Sequence, residues 1–349
     1  MNILIVVPSF KILGGVANHY KGLDPYWTNN ICYSFQGKRE KIHAIFTFIP
    51  DLFLFVFRLL FKKIDIVIIN PSLRKYQLAR DSIFLLLAKL LNKKIITFFH
   101  GWDQTVADAI ITHPFLFKYI YGKSTFIYCL CTEFRENLIK MGIESPILLT
   151  TTKVSDNLVA NFNIDRRNGT IKTILFLARL EISKGIFITL QTFYELKKRY
   201  PNLKLLICGS GGSERSAREY VIINNISDVY FCGNVSGQVL IDTFIESDIY
   251  ILPTYSEGMA TSILEAMAFG LPIVSRSVGG IKDFFQQGKM GYLTESLDSS
   301  DYVQIIESLI NNPDLVREIS LNNHSYAIKH FLASKVAASI EQDIHHFCR

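Results

Sequence analysis

The chain of 349 residues has no run of about 20 apolar residues free of charge and proline, so no membrane-spanning helix is expected. It also lacks a basic leader ending in a small-residue cleavage site. Its opening, MNILIVVPSF, reads as a first β-strand rather than a signal peptide. The six cysteines, at 32, 129, 131, 208, 232 and 348, show no metal-ligand spacing, which favours reduced thiols and a cytoplasmic protein. No complete Gly-x-Gly-x-x-Gly fingerprint occurs. In CGSGGSER the third position is Glu214, and Asp228, the acid nearest the expected ribose position, precedes its strand instead of following it. YGKS is no phosphate loop, because Phe117 stands where the leading glycine belongs.

Charge is scarce as well, at 19% of residues against 49% hydrophobic, which suits a buried α/β protein or one resting on a membrane. What charge there is divides unevenly. Residues 1–168 hold 21 Lys and Arg against 12 Asp and Glu, while the remainder holds 16 against 19. A basic first half suits an anionic partner such as a phosphate-bearing substrate or a lipid surface. The most apolar window, residues 44–63, is broken by Pro50, Asp51 and Arg58. It fits either a helix packed on a sheet or one dipping its aromatic side into a membrane interface beside Lys62 and Lys63.

Short Val/Ile/Leu-rich runs alternate with amphipathic stretches throughout. Strands are expected at 2–7, 31–35, 64–69, 94–99, 125–130 and 146–150, then at 172–177, 203–208, 228–232, 249–252 and 271–275. Helices are expected near 76–91, 132–141, 184–199, 213–225, 237–246 and 262–269, with only helix after about 300. This pattern implies parallel sheets covered on both faces: two doubly wound Rossmann-like domains in series. The polar stretch 151–170 reads as their joint, giving domains at 1–165 and 166–330. Ligands of open parallel sheets sit beyond the carboxyl ends of the strands, so a cleft between the domains is the expected site.

Residues just after each strand carry the candidate chemistry. Gly14 and Gly15 would let backbone N–H groups approach an anion at a helix start, or simply form a tight turn. His100 ends the fourth strand, where a satisfied structural histidine is the competing reading. Arg179 and Lys184, in LARLEISKG, would clamp a diphosphate or else lie on a solvated turn. The stretch SEGMATSILEAMAFGLPIV holds Glu257 and Glu265 eight positions apart. A capping box from Ser262 to Glu265 would explain the second acid alone. A nucleotide sugar would explain both: helix N–H groups near Gly258, Met259, Ala260, Thr261 and Ser262 receive its phosphates, and the carboxylates accept from hydroxyls at either end.

With LGGVANH, FHGW, RLEISKG, FCGNVS, SDIYILPTYSEG and VGGIKDFFQQGKMGYL in order along the chain, the Glu-x7-Glu stretch resembles the signature of retaining glycosyltransferases of family 4, which have the GT-B fold. That resemblance implies transfer of a hexose from a UDP- or GDP-linked sugar to a saccharide acceptor, lipid-linked, with retention of configuration, in capsule, O-antigen or exopolysaccharide assembly. It assigns Glu265 to the ribose, Glu257 to the donor hexose, Arg179 and Lys184 to the leaving diphosphate, backbone at Asn234 and Val235 to the base, and His100 to the reacting sugar. It implies that residues 331–349 return to the first domain and that acceptors bind there. Ala260 and Lys282 stand where the family favours proline, and Ala178 where glycine is usual. The chain has no Asp-x-Asp, so no metal or other cofactor is expected, and nucleic acid is not an implied partner. An inactive subunit keeping the fold and a nicotinamide oxidoreductase are the rival readings.

Overall fold

The computed structural model describes residues 1–12, 14–37 and 44–348, without the side chains of residues 44 and 45. Leu13, which heads the first glycine motif, and the first two side chains of the 44–63 window therefore lie outside the described residues.

The chain divides into two units, Met1–Lys153 with Ala333–Arg349, and Val154–Leu332. In the first, β1 (Asn2–Pro8), α1 (Gly15–Leu23), β2 (Asn30–Gln36), α2 (Ala44–Phe61), β3 (Ile66–Ile69) and α3 (Lys75–Leu90) are followed by β4 (Lys94–Phe99), α4 (Gln104–Thr112), α5 (Phe115–Tyr121), β5 (Phe126–Cys129), α6 (Thr132–Lys140) and β6 (Ile147–Leu149). The sheet order is β2-β1-β3-β4-β5-β6, with every pairing parallel. Central strands are buried on both faces, Ile3 to Val7 and Ile66 to Ile69 almost completely, as their unbroken apolar runs require.

The second unit opens with α7 (Asp156–Val159) and continues through β7 (Thr173–Leu177), α8 (Ile186–Arg199), β8 (Lys204–Cys208), α9 (Glu214–Ile223), β9 (Val229–Gly233), α10 (Gln238–Glu246) and β10 (Ile249–Leu252). After these come α11 (Thr261–Ala268), β11 (Ile273–Arg276), α12 (Ile281–Phe284), β12 (Gly291–Thr294), α13 (Ser299–Ile310) and α14 (Pro313–His330). Its parallel sheet runs β12-β11-β10-β7-β8-β9. The last helix, α15 (Ala333–Phe347), lies in the first unit, where Glu341 accepts from the backbone N–H groups of Thr28 and Asn29 at 2.9 and 2.8 Å.

Two expectations need correction. The division falls at 153/154 and 332/333, not at 165/166 and 330/331, because Val154 is already inside the second core: it is fully buried and donates to Phe331 O at 2.7 Å. Within the stretch 151–170, Lys153, Val154, Val159, Arg167 and Gly169 are buried, so it is partly packed chain. The strand β12 also escaped the sequence pattern. It is only four residues long and begins with Gly291, where a Cβ would come 2.1 Å from Ile273 O, so close strand approach demands glycine in place of a β-former.

Candidate active site

Strand order decides what the loops of the second unit bring together. The chain leaves β7 towards β8 on one side and returns later to β10 on the other, so β7 and β10 flank the reversal point of the sheet, where doubly wound proteins bind ligands. The loop after β7 carries Arg179 and Lys184, and the loop after β10 carries Glu257 to Ala260. Lys184 Nζ lies 2.5 Å from Glu257 Oε1, with the two side chains only 15% and 16% exposed. Thr254 Oγ1, fully buried, is 3.2 Å from the same carboxylate oxygen and 3.2 Å from Ser183 O. Tyr255 N donates to Ser183 O at 2.8 Å, so the two loops are stitched along their backbones as well.

Glycines make that approach possible. Gly185 has φ +78° and a Cβ there would sit 2.2 Å from Pro253 O. Gly279 has φ +60° with Glu257 O 2.0 Å from its Cβ position, and Gly280 N donates to Gly258 O at 2.6 Å. The VGG turn thus presses the Glu257–Gly258 segment from behind. Arg179 is exposed and pairs with Glu181 at 2.9 Å, so the two cations assigned to one anion rest on separate carboxylates.

The capping-box reading of Ser262 and Glu265 does not hold. α11 starts at Thr261 with Ala260 as its N-cap and no side-chain cap bond, which puts Ser262 one turn position inside the helix. Its hydroxyl instead meets Tyr250 Oη at 2.7 Å, while Tyr250 Oη donates to Leu177 O at 3.0 Å. Tyr250, which the sequence reading did not single out, therefore ties the helix start to the end of β7. Met259 and Ala260 pack partly on the core, and α11 begins at Thr261 with no side-chain cap on its first N–H groups.

The glycines of CGSGGSER have a packing explanation. A Cβ at Gly209 would be 2.0 Å from Ala178 O, and one at Gly211 2.4 Å from Leu180 O. Leu180 N donates to Ser210 O at 3.0 Å and Ser213 N to Leu180 O at 2.9 Å. These residues let the β8 loop carry the Arg179 loop. Next to them, exposed Asn234 donates from its amide to Ser210 Oγ at 2.9 Å, and Val235 packs partly on the core.

In the first unit, Gly14 and Gly15 are exposed and a Cβ on either would meet no atom within 4 Å. Gly14 has φ 178°, extended backbone open to any residue, so neither the fold's sterics nor its dihedral asks for glycine there. His100 directly follows β4, with Nε2 3.1 Å from Asn70 Oδ1. Asn70, at the end of β3, also accepts from Tyr20 Oη at 2.8 Å and donates to Val6 O at 2.9 Å. Burial and the neighbouring His19 push the His100 imidazole well below its usual range, so it is neutral at pH 7. His19 closes the glycine motif LGGVANH and Tyr20 follows it, and neither carried a role in the sequence. Their position one turn into α1 was the signal that points them at Asn70 and His100.

His19 is 3% exposed, neither ring nitrogen meets a hydrogen-bond partner among the described residues, and its ring lies 5.2 Å from that of His100. Burial and then the Lys153 ammonium push its pKa down to about 3. The unfolded chain binds a proton near pH 6.5 that the folded chain refuses, so this contribution is complete above pH 6.5 and is lost as pH falls towards 3. The slope is about 1.4 kcal/mol per pH unit for each such histidine. His19→Leu is expected to flatten the fall of melting temperature between pH 6.5 and 4; an unchanged slope would assign the acid sensitivity elsewhere.

Against this geometry stand the known proteins. Residues 160–326 match the family model described as glycosyl transferases group 1. An uncharacterized glycosyltransferase of Haemophilus influenzae is 35% identical over 152 residues, 43% of this chain and 42% of that protein. The capsular polysaccharide biosynthesis glycosyltransferase CapM of Staphylococcus aureus is 26% identical over 168 residues, 48% of this chain and 44% of that one. The chain spans about half the length of such curated relatives, from 36% to 66% of each. Among solved structures, Anabaena HepE in complex with UDP and glucose superimposes with a TM-score of 0.75 at 14% identity, over 99% of this chain and 100% of that one.

Proposed function

We propose that the chain, whose residues 160–326 match the family model of glycosyl transferases group 1, transfers a hexose from a nucleotide-diphosphate sugar to a saccharide acceptor. Its two doubly wound parallel sheets are those of the GT-B fold. One observation carries the reading: Lys184 and Glu257, 73 residues apart, meet at the reversal point of the second sheet in front of the N-terminus of α11. In the proposed complex the diphosphate takes up the α11 N–H groups with Lys184 and Arg179, Glu257 turns to the hexose hydroxyls, Glu265 to the ribose, and Asn234–Val235 to the base. Charge-assisted hydrogen bonds of about 1.5–3 kcal/mol each would offset the charge that develops on the leaving diphosphate. Gly14 and Gly15 contribute backbone donors, and His100, held neutral by Asn70, contacts the transferred sugar. No metal is assigned a role, retention of configuration follows from the family resemblance, and the acceptor is a lipid-linked saccharide at the cytoplasmic face of the membrane. Relatives named for capsular polysaccharide, amylovoran and colanic acid biosynthesis support surface polysaccharide as the product.

A thermal-shift panel of UDP-, GDP- and ADP-sugars, followed by donor hydrolysis with and without EDTA, tests this. One nucleotide sugar should raise the melting temperature and be turned over equally in EDTA. Glu265→Gln should weaken that shift about tenfold in donor concentration, the loss of one charge-assisted bond. A shift with NAD instead, or none with any sugar nucleotide, would overturn the assignment.

A further inference from the structure

α2 carries large apolar side chains on both its inner and its outer side, a pattern that belongs to helices covered on every side, yet among the described residues only one side of it is covered. Thr47, Asp51, Phe55 and Leu59, spaced by four, face the sheet and are buried. On the opposite side Phe46, Ile49, Phe53 and Phe61 are 73–74% exposed, with Phe57 and Leu60 between them about half exposed. Single exposed apolar residues are ordinary, but a helical stripe of them is not.

The surface extends beyond one helix. The steps β2 to β3, β3 to β4 and β4 to β5 move in one direction across the sheet, so their right-handed crossovers leave α2, α3 and α5 on the same face. α3 packs on both α2 and α5. Leu90 on α3 and Phe115 and Leu116 on α5 are 76%, 82% and 65% exposed, and Leu116 also walls an apolar crevice of about 350 Å³ between α3, α4 and α5. Residues 44–123 hold 11 Lys and Arg against 5 Asp. Two of those acids, Asp51 and Asp81, are buried. Lys62 and Lys63 are exposed at the end of α2, and the ammonium groups of Lys89 and Lys123 lie over the same Tyr119 ring at 5.3 and 4.6 Å. Burial and that like charge push Lys89 down to about 8, a strain that a neighbouring anion relieves. A face this cationic repels a second copy of itself.

We propose that the exposed faces of α2, α3 and α5 dock the first unit on an anionic lipid bilayer, aromatic side chains entering the interface and lysines meeting the lipid phosphates. No helix among the described residues is long and apolar enough to cross a membrane, so α2 lies in the plane of the surface. This docking stands independently of which sugar is transferred. The test is co-sedimentation with vesicles of phosphatidylglycerol and phosphatidylcholine, against phosphatidylcholine alone. Wild type should pellet with the anionic vesicles and be released by salt. Phe53→Ser with Phe57→Ser should weaken partitioning by about tenfold or more through lost apolar burial, and Lys62→Glu with Lys63→Glu by about tenfold through lost attraction. Both variants should keep the wild-type melting temperature and the nucleotide-sugar shift, so a failure of docking is read separately from a failure of donor binding. Wild type staying in the supernatant, or the serine variant pelleting like wild type, overturns the proposal. So does a vesicle-free dimer in ultracentrifugation that the serine variant abolishes, which would make this face a protein interface.

Discussion

Lys184→Ala is expected to lower turnover of a nucleotide sugar by about 10²–10³-fold while moving the melting temperature by only a few degrees. The asymmetry follows from where the side chain sits. Its ammonium and the Glu257 carboxylate are 2.5 Å apart and mostly shielded, so in the free protein each is the other's main partner. Removing Lys184 leaves Glu257 with Thr254 Oγ1 at 3.2 Å and part of its surface still open to water, a cost of about 1–2 kcal/mol. In the proposed reaction the loss is larger, because the charge appearing on the leaving diphosphate has then lost a fixed cation. Lys184→Arg should restore part of the turnover. Should the melting temperature collapse while per-molecule turnover survives, Lys184 is a structural residue and the site assignment loses its main support.

Arg167→Leu is expected to cost the second unit about 3–5 kcal/mol, lowering its melting temperature by roughly 10 °C. Arg167 is 8% exposed and donates to Phe269 O at 2.9 Å, Phe244 O at 2.8 Å and Ser247 O. Those carbonyls are the unpaired C-terminal ends of α10 and α11, which otherwise face protein. Burial lowers the guanidinium pKa to about 10, which still leaves it charged at pH 7. A leucine fills the space but orphans all three acceptors. The neighbouring Arg166 is exposed, so Arg166→Leu is the control and should stay within about 0.5 kcal/mol. Equal melting temperatures for the two variants would mean that the carbonyls find other donors. Because Arg167 secures the end of the helix that Glu265 belongs to, its loss should also blunt the nucleotide-sugar shift.

These two residues mark the limits of reading the chain directly. Lys184 was legible because it follows a buried strand, where a doubly wound sheet opens to ligands. Arg167 was not, since Asn163 to Gly169 is polar without period and looks like linker. Only the helix ends packed around it turn a surface-type residue into an internal clamp. Ser262 shows the opposite error: Ser-x-x-Glu is a sound local cap signal, but the hydroxyl has a stronger partner in Tyr250, from a strand 12 residues earlier.

From the order of residues alone came the alternation of strand and helix, the parallel character of both sheets and the loops in which the chemistry gathers. Those follow from local periodicity and from the need to bury unbroken apolar runs on both faces. Tertiary structure alone decided that β10 returns beside β7, that Lys184 therefore meets Glu257 while Arg179 keeps to Glu181, and that the outer side of α2 stays uncovered. The reason is physical: local pattern determines which residues turn inward, but the partner each one finds depends on strand order and helix placement, which bring together groups many turns apart.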